Sequence, residues 1–142
     1  MALDWDNAVS DMAAAVDHVS DTAPVAVIGY CYGGSLAWLA ANSLPISVAV
    51  GYYGAEINGF IDRAPQVPTM LHFGGLDQAI PLDGVQQVAD RYPAVPVNVY
   101  DEAGHGFSCD ARGSYHADSA ATALQRTLGF LASADSAFVL AD

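Results

Sequence analysis

Lysine is absent from this 142-residue chain, and its basic complement is Arg63, Arg91, Arg112 and Arg126 against 16 acidic residues. The formal net charge of −12 repels phosphate backbones and anionic lipid alike, which excludes nucleic acid and membrane surfaces as expected partners. Cysteine is scarce too: Cys31 and Cys109 are too few for a disulfide framework. No apolar run reaches the roughly 18 residues of a membrane-spanning helix. The Met-Ala-Leu-Asp-Trp start lacks the basic and apolar segments of a secretory signal, and the expectation is a cytoplasmic protein. A lysine-free, acidic composition suits either a high-salt habitat or an ordinary solvated surface.

What the chain does have is apolar content. At 53% hydrophobic and 14% charged residues it can build a packed core, and its length predicts one domain over residues 1–142. Asp4 can cap a first helix in which Trp5, Val9, Met12, Val16 and Val19 recur at helical spacing, with His18 solvated at its end. Four short strand-like runs follow: Val25 to Ile28, apolar with β-branched residues, then 46–52, 69–73 and 95–100. The first reads as a strand buried on both faces. Between them fall a helix from Ser35 to about Asn42, an irregular stretch at 55–68 with room for a short helix, and a helix over 81–91 opened by Pro81. A last helix over about 115–132 is expected to pack through Ala117, Leu124, Leu128 and Leu131, leaving 133–142 as a loosely held tail. Strands alternating with helices predict an α/β fold: a parallel sheet of about four strands with helices on both faces.

The turn after the first strand, Gly29-Tyr30-Cys31-Tyr32-Gly33, is a Gly-x-Cys-x-Gly variant of the nucleophile elbow, whose flanking glycines are expected where a Cβ would strike the neighbouring strand or helix. The helix that follows favours a thiolate at its N-terminus. The plain alternative is a small buried cysteine in a glycine-rich turn. A phosphate loop is a weaker rival, because neither Gly-x-Gly-x-x-Gly nor the Walker lysine is present. Asp77 follows the third strand, and His105 lies between two glycines after the fourth. Ligands in such sheets bind at strand carboxyl ends, where all three residues fall. Thiol acyl transfer requires a nucleophile, an imidazole to move its proton and a carboxylate to hold the imidazole's tautomer, and Cys31, His105 and Asp77 supply them. Each has a plain reading as well: a turn or capping aspartate, a loop histidine. His72, inside the third strand, reads as packed rather than catalytic.

Several stretches resemble the dienelactone hydrolases (carboxymethylenebutenolidases) of the α/β-hydrolase superfamily: Gly-Tyr-Cys-Tyr-Gly-Gly at 29–34, Gly-Tyr-Tyr-Gly at 51–54, His-Phe-Gly-Gly-Leu-Asp at 72–77, Glu-Ala-Gly-His-Gly-Phe at 102–107 and Arg-Thr-Leu-Gly-Phe-Leu at 126–131. The resemblance runs from the first helix to the last. It implies Cys31 as nucleophile, His105 as general base and then acid, Asp77 as its orienting partner, and the Tyr32 N–H as one half of the oxyanion hole, with no cofactor or metal. It covers the C-terminal catalytic portion only. The strands that precede that portion in the family bring the second oxyanion donor, an acidic residue near the nucleophile and a substrate-binding arginine. A further family arginine, four residues past the catalytic histidine, is replaced here by Cys109, with Arg112 nearby but out of register. The expected function is therefore hydrolysis of a small carboxylic ester or lactone through an acyl-thioenzyme. From a different class, a catalytically silent α/β module for small-ligand binding or oligomerisation also fits. In either case the outer edge of the first strand, Val25 to Ile28, lacks a partner in the chain and is expected to template a homo-oligomer.

Overall fold

The computed structural model describes residues 4–21 and 23–139, with side chains as far as 134. Four strands, β1 (Ala26–Tyr30), β2 (Val48–Tyr52), β3 (Thr69–Gly74) and β4 (Val97–Tyr100), form one parallel sheet in the order β1-β2-β3-β4. Helices α1 (Trp5–Val19), α2 (Tyr32–Ser43), α3 (Leu82–Arg91) and α4 (Ala117–Val139) connect and cover the strands, and a short 3-10 helix, Asn58–Phe60, occupies the stretch after β2. This is the expected α/β sheet.

Strand alternation assigns the faces. Tyr52 and His72 point toward α4, where both hydrogen-bond the Thr127 hydroxyl, at 2.6 and 3.0 Å. Ala49 faces the other way and packs with Ala40, Ala41 and Val16 of α2 and α1. Trp38, fully buried, anchors α2 in the main core and donates its indole N–H to the Phe60 carbonyl. Asp4 caps α1 as expected, accepting from the Asn7 amide at 3.0 Å, and His18 is exposed.

Three expectations need correction. β1 is not buried on both faces: Ala26, Ile28 and Tyr30 are exposed, because β1 is an edge strand and α4 lies over β2 and β3. α4 does not pack through Leu124 and Leu128, which are 52% and 58% exposed; its inward stripe is Ser119, Ala123, Thr127 and Ala134. Thr127 meets the polar groups of Tyr52 and His72, which turns the helix away from its leucine stripe. Nor does the last helix end at 132, since α4 continues to Val139 with Ala134 buried and no glycine or proline after Gly129 to stop it; of the expected tail 133–142, residues 140–142 lie outside the described residues. Smaller shifts have local causes. α2 starts at Tyr32 because the Cys31 carbonyl already accepts from Gly34 and Ser35. β4 starts at Val97 because the Val95 amide turns back to Tyr92 and Pro96 has no N–H.

Candidate active site

Cys31 sits between β1 and α2 with φ 56° and ψ −117°, a backbone conformation that costs a non-glycine residue about 1–3 kcal/mol. The strain is held from two sides: the Cys31 amide donates to the Tyr52 carbonyl at 2.9 Å, and its carbonyl starts α2. A Cβ on Gly29 would come within 1.8 Å of the Gly33 carbonyl oxygen, so only glycine fits there. Gly33 itself has open space where a Cβ would go; the second enforced glycine is Gly34, where an added Cβ would come within 2.4 Å of the Tyr52 carbonyl oxygen. One of the two glycine requirements expected of this turn is thus displaced by a residue, from Gly33 to Gly34.

Asp77 and His105 arrive on loops that are tied to each other. The Gly75 amide donates to the Tyr100 carbonyl at 2.7 Å, and the Leu76 amide to the Ala103 carbonyl at 2.9 Å, so the loop after β3 is laced to the loop after β4. His105 Nδ1 lies 2.7 Å from Asp77 Oδ2, and the other Asp77 oxygen accepts from the Ala79 amide at 2.9 Å. The Asp77 carboxylate is fully shielded from solvent while the His105 ring is partly open. The Ser114 hydroxyl anchors the His105 carbonyl at 2.7 Å. On the far side of the imidazole, Nε2 lies 3.3 Å from the exposed Cys31 Sγ. Sequence-distant residues are thus joined in one line, Cys31 to His105 to Asp77. The Tyr32 N–H opens α2 beside Cys31 and, among the described residues, has no hydrogen-bond acceptor.

Tyr53, to which the sequence assigned no role, borders the same space. Its ring packs 5.3 Å from the His105 imidazole and 5.5 Å from Phe107, and it is the second non-glycine residue with positive φ, at 38°. Burial pushes its phenol up to about 12. The one available signal was the Gly54 that follows, whose Cβ would strike the α2 backbone. Cys109 is a free, partly exposed thiol whose amide donates to Gly106, and the Arg112 side chain lies against Gly106, next to His105. His72 is packed, as read: it is fully buried between Tyr100 and Thr127. A separate groove of about 350 Å³ lies between the 3-10 helix and α3, floored by Ile57, Phe73 and Val88, and contains none of the three aligned residues. No cluster of three or more His, Cys, Asp or Glu side chains able to hold a metal occurs among the described residues.

Comparison with known proteins places the chain in a family. The chain is 36% identical over 140 residues to a carboxymethylenebutenolidase of Pseudomonas putida, covering 92% of this chain and 59% of that protein. A solved structure from Klebsiella pneumoniae, with a provisional dienelactone hydrolase description, matches 90% of this chain and 61% of its own at 26% identity and a TM-score of 0.78. Esterase 2 of Thermogutta terrifontis shares the fold at 17% identity, with a TM-score of 0.75 over 92% of this chain and 65% of its own. The chain therefore spans about three-fifths of the length of the curated relative. The dienelactone hydrolase family model matches residues 3–134, and the chain belongs to the dienelactone hydrolase family.

Proposed function

We propose that this chain carries the catalytic portion of a hydrolase for small carboxylic esters or lactones, working through a Cys31-His105-Asp77 triad and an acyl-thioenzyme. The observation that supports this most is the continuous line from Cys31 Sγ through the two His105 nitrogens to Asp77, at 3.3 and 2.7 Å. In this reading Asp77 accepts a hydrogen bond from the Nδ1–H and so fixes the tautomer, which leaves Nε2 free to take the thiol proton. The thiolate attacks the ester carbonyl, and the oxyanion forms against the Tyr32 N–H. His105 then returns the proton to the departing alkoxide as the C–O bond breaks. Water, deprotonated by the same nitrogen, cleaves the thioester. The chemistry asks for no metal or cofactor. Cys109 occupies the position where carboxylate-binding relatives carry arginine, so the proposal is the ester and lactone class rather than the dienelactone itself.

A single backbone donor limits the rate. Loss of one oxyanion donor typically costs on the order of 10²–10³ in turnover, so this chain alone is expected to acylate readily with activated esters and to turn over slowly. The test is acylation by p-nitrophenyl acetate, followed by peptide mass mapping. The expected result is one acetyl group on the Cys31 peptide, lost in Cys31→Ala and strongly slowed in His105→Ala. Acetyl groups spread evenly over Cys31 and Cys109 would refute the triad.

The open side of the sheet supports a second element of the proposal. Ile28 and Tyr30 on β1 are 42% and 50% exposed, and the exposed Tyr115 and Leu124 line a surface groove with Tyr30. A strand edge without charge or proline is a template for another strand. We assign the β1 edge to self-association, giving a homo-oligomer of a single-domain chain. The acidic, lysine-free surface disfavours nucleic acid and membrane partners, and the two free thiols suit the reducing cytoplasm. No helix among the described residues is long and apolar enough to cross a membrane.

A further inference from the structure

Tyr53 is held in place more tightly than a packing residue requires. Its amide donates to the His72 carbonyl at 2.7 Å, its backbone is in the left-handed region at φ 38°, and its ring is wedged among His105, Phe107, Tyr52 and Tyr30. The other inward tyrosines all use their hydroxyls: Tyr52 on Thr127, Tyr92 on the Ile61 carbonyl, Tyr100 on His72. The Tyr53 hydroxyl has no hydrogen-bond partner among the described residues. It is not sealed off either, since the one fully buried side-chain polar atom without a partner among those residues is Ser108 Oγ. A residue 3% exposed thus keeps an uncommitted hydroxyl that is not wholly sealed from solvent. The space around it adjoins the triad, because the Tyr53 ring lies 5.3 Å from the His105 imidazole, whose Nε2 is 3.3 Å from Cys31 Sγ. Burial keeps the group protonated through the whole neutral and alkaline working range, so it remains a donor.

We propose that the Tyr53 hydroxyl is a further catalytic group: it donates a hydrogen bond to the leaving oxygen of an ester or lactone held at Cys31, on the side of the tetrahedral centre that faces His105. The assignment rests on the hydrolase reading of the triad. Its place beside the imidazole selects the leaving oxygen rather than the carbonyl oxygen, which the Tyr32 N–H serves from the α2 side. In the step itself the Cys31 sulfur forms the new C–S bond, and the C–O bond breaks with its electron pair going to the leaving oxygen. The His105 imidazolium transfers its proton to that oxygen. Tyr53 keeps its own proton and stabilises the charge that builds before transfer is complete.

Tyr53→Phe retains the ring and its aromatic contacts and removes only the donor. Acylation of Cys31 is measured in single turnover with aryl acetates of falling leaving-group acidity, from p-nitrophenyl through phenyl to p-methoxyphenyl, and alkylation by iodoacetamide is measured in parallel. The expected result is near wild-type acylation with the p-nitrophenyl ester, a loss growing to roughly tenfold at the p-methoxyphenyl end, and unchanged alkylation. A steeper dependence on the leaving group is something a merely structural defect would not produce. Equal losses on every ester, no loss on any, or an equal slowing of alkylation would overturn the assignment. If the wild-type chain is not acylated at Cys31 by any of the esters, the hydrolase reading itself falls, and this assignment with it.

Discussion

His72 makes the core sensitive to acid at a single point. Its ring is fully buried in β3, with the Tyr100 hydroxyl 2.9 Å from Nδ1 and Thr127 Oγ1 3.0 Å from Nε2. Arg126 donates to the Tyr100 oxygen at 3.4 Å, and this directs the Tyr100 hydrogen toward Nδ1 and assigns the ring proton to Nε2. A second ring proton would meet the Tyr100 hydrogen head-on, in a site that already faces a guanidinium. Burial first, and the Arg126 charge second, lower the His72 pKa from 6.5 to about 4. The folded state thus binds the proton less readily than the unfolded chain. Stability is complete above about 6.5, is lost as pH falls from 6.5 to about 4, and stays flat with respect to this group below that. At about 1.4 kcal/mol per pH unit, that window is worth about 3 kcal/mol. Carboxylates titrate in the same range, so the measurement is a difference. Urea unfolding is followed at pH 7, 6, 5 and 4 (roughly unit steps across the window) for wild type and for His72→Gln, which keeps a donor and an acceptor but does not titrate. The wild-type advantage should shrink by about 3 kcal/mol between the first and last pH. A gap that stays constant over that range would refute the argument.

Three other outcomes are expected. Cys31 should react with iodoacetamide near neutral pH much faster than Cys109, because His105 Nε2 can take its proton, and His105→Ala should bring the two rates together in a peptide-mapped time course. Gly29→Ala should unfold or severely destabilise the chain, by roughly 3 kcal/mol or more, while Gly33→Ala leaves the melting temperature nearly unchanged, since only the former meets backbone at 1.8 Å. Ile28→Lys should shift sedimentation at micromolar concentration toward the monomer; a wild-type chain that is already monomeric would refute assembly at the β1 edge.

Most of the sheet was legible in the sequence because each strand is a short, mostly apolar run bounded by turn residues, and the three aligned residues were legible because each follows such a run. The errors share a cause: they concern what lies across from a residue rather than what lies beside it in the chain. The Val25 to Ile28 run has the composition of a strand covered on both sides, but among the described residues no strand pairs with its outer edge, and Ile28 and Tyr30 are exposed. The leucine stripe of α4 has sound helical spacing, yet the surface opposite presents Tyr52 and His72, and Thr127 answers their polar groups better than Leu124 or Leu128. Gly33 and Gly34 are adjacent and chemically identical, and only the approach of the Tyr52 carbonyl distinguishes them. Tyr53 escaped notice because a positive φ on a tyrosine is imposed by tertiary contacts and leaves no mark in composition.

The bonds that lace the β3 and β4 loops together divide the machinery unequally. His105 and Asp77 stand on one stitched unit after β3 and β4, whereas Cys31 follows β1 at the opposite edge of the sheet, tied inward through the Tyr52 carbonyl and the pairing of β1 with β2. Marginal strands open locally at a lower free energy than the whole domain. Fraying of β1 would therefore carry the sulfur away while the acid–base pair stays assembled, silencing the protein without unfolding it. Amide exchange resolved by residue would register this as protection lost across Ala26 to Tyr30 with Phe73 and Tyr100 still guarded. Anything that clamps the outer strand then acts as a rheostat on the nucleophile, setting how much of the time the sulfur is in line.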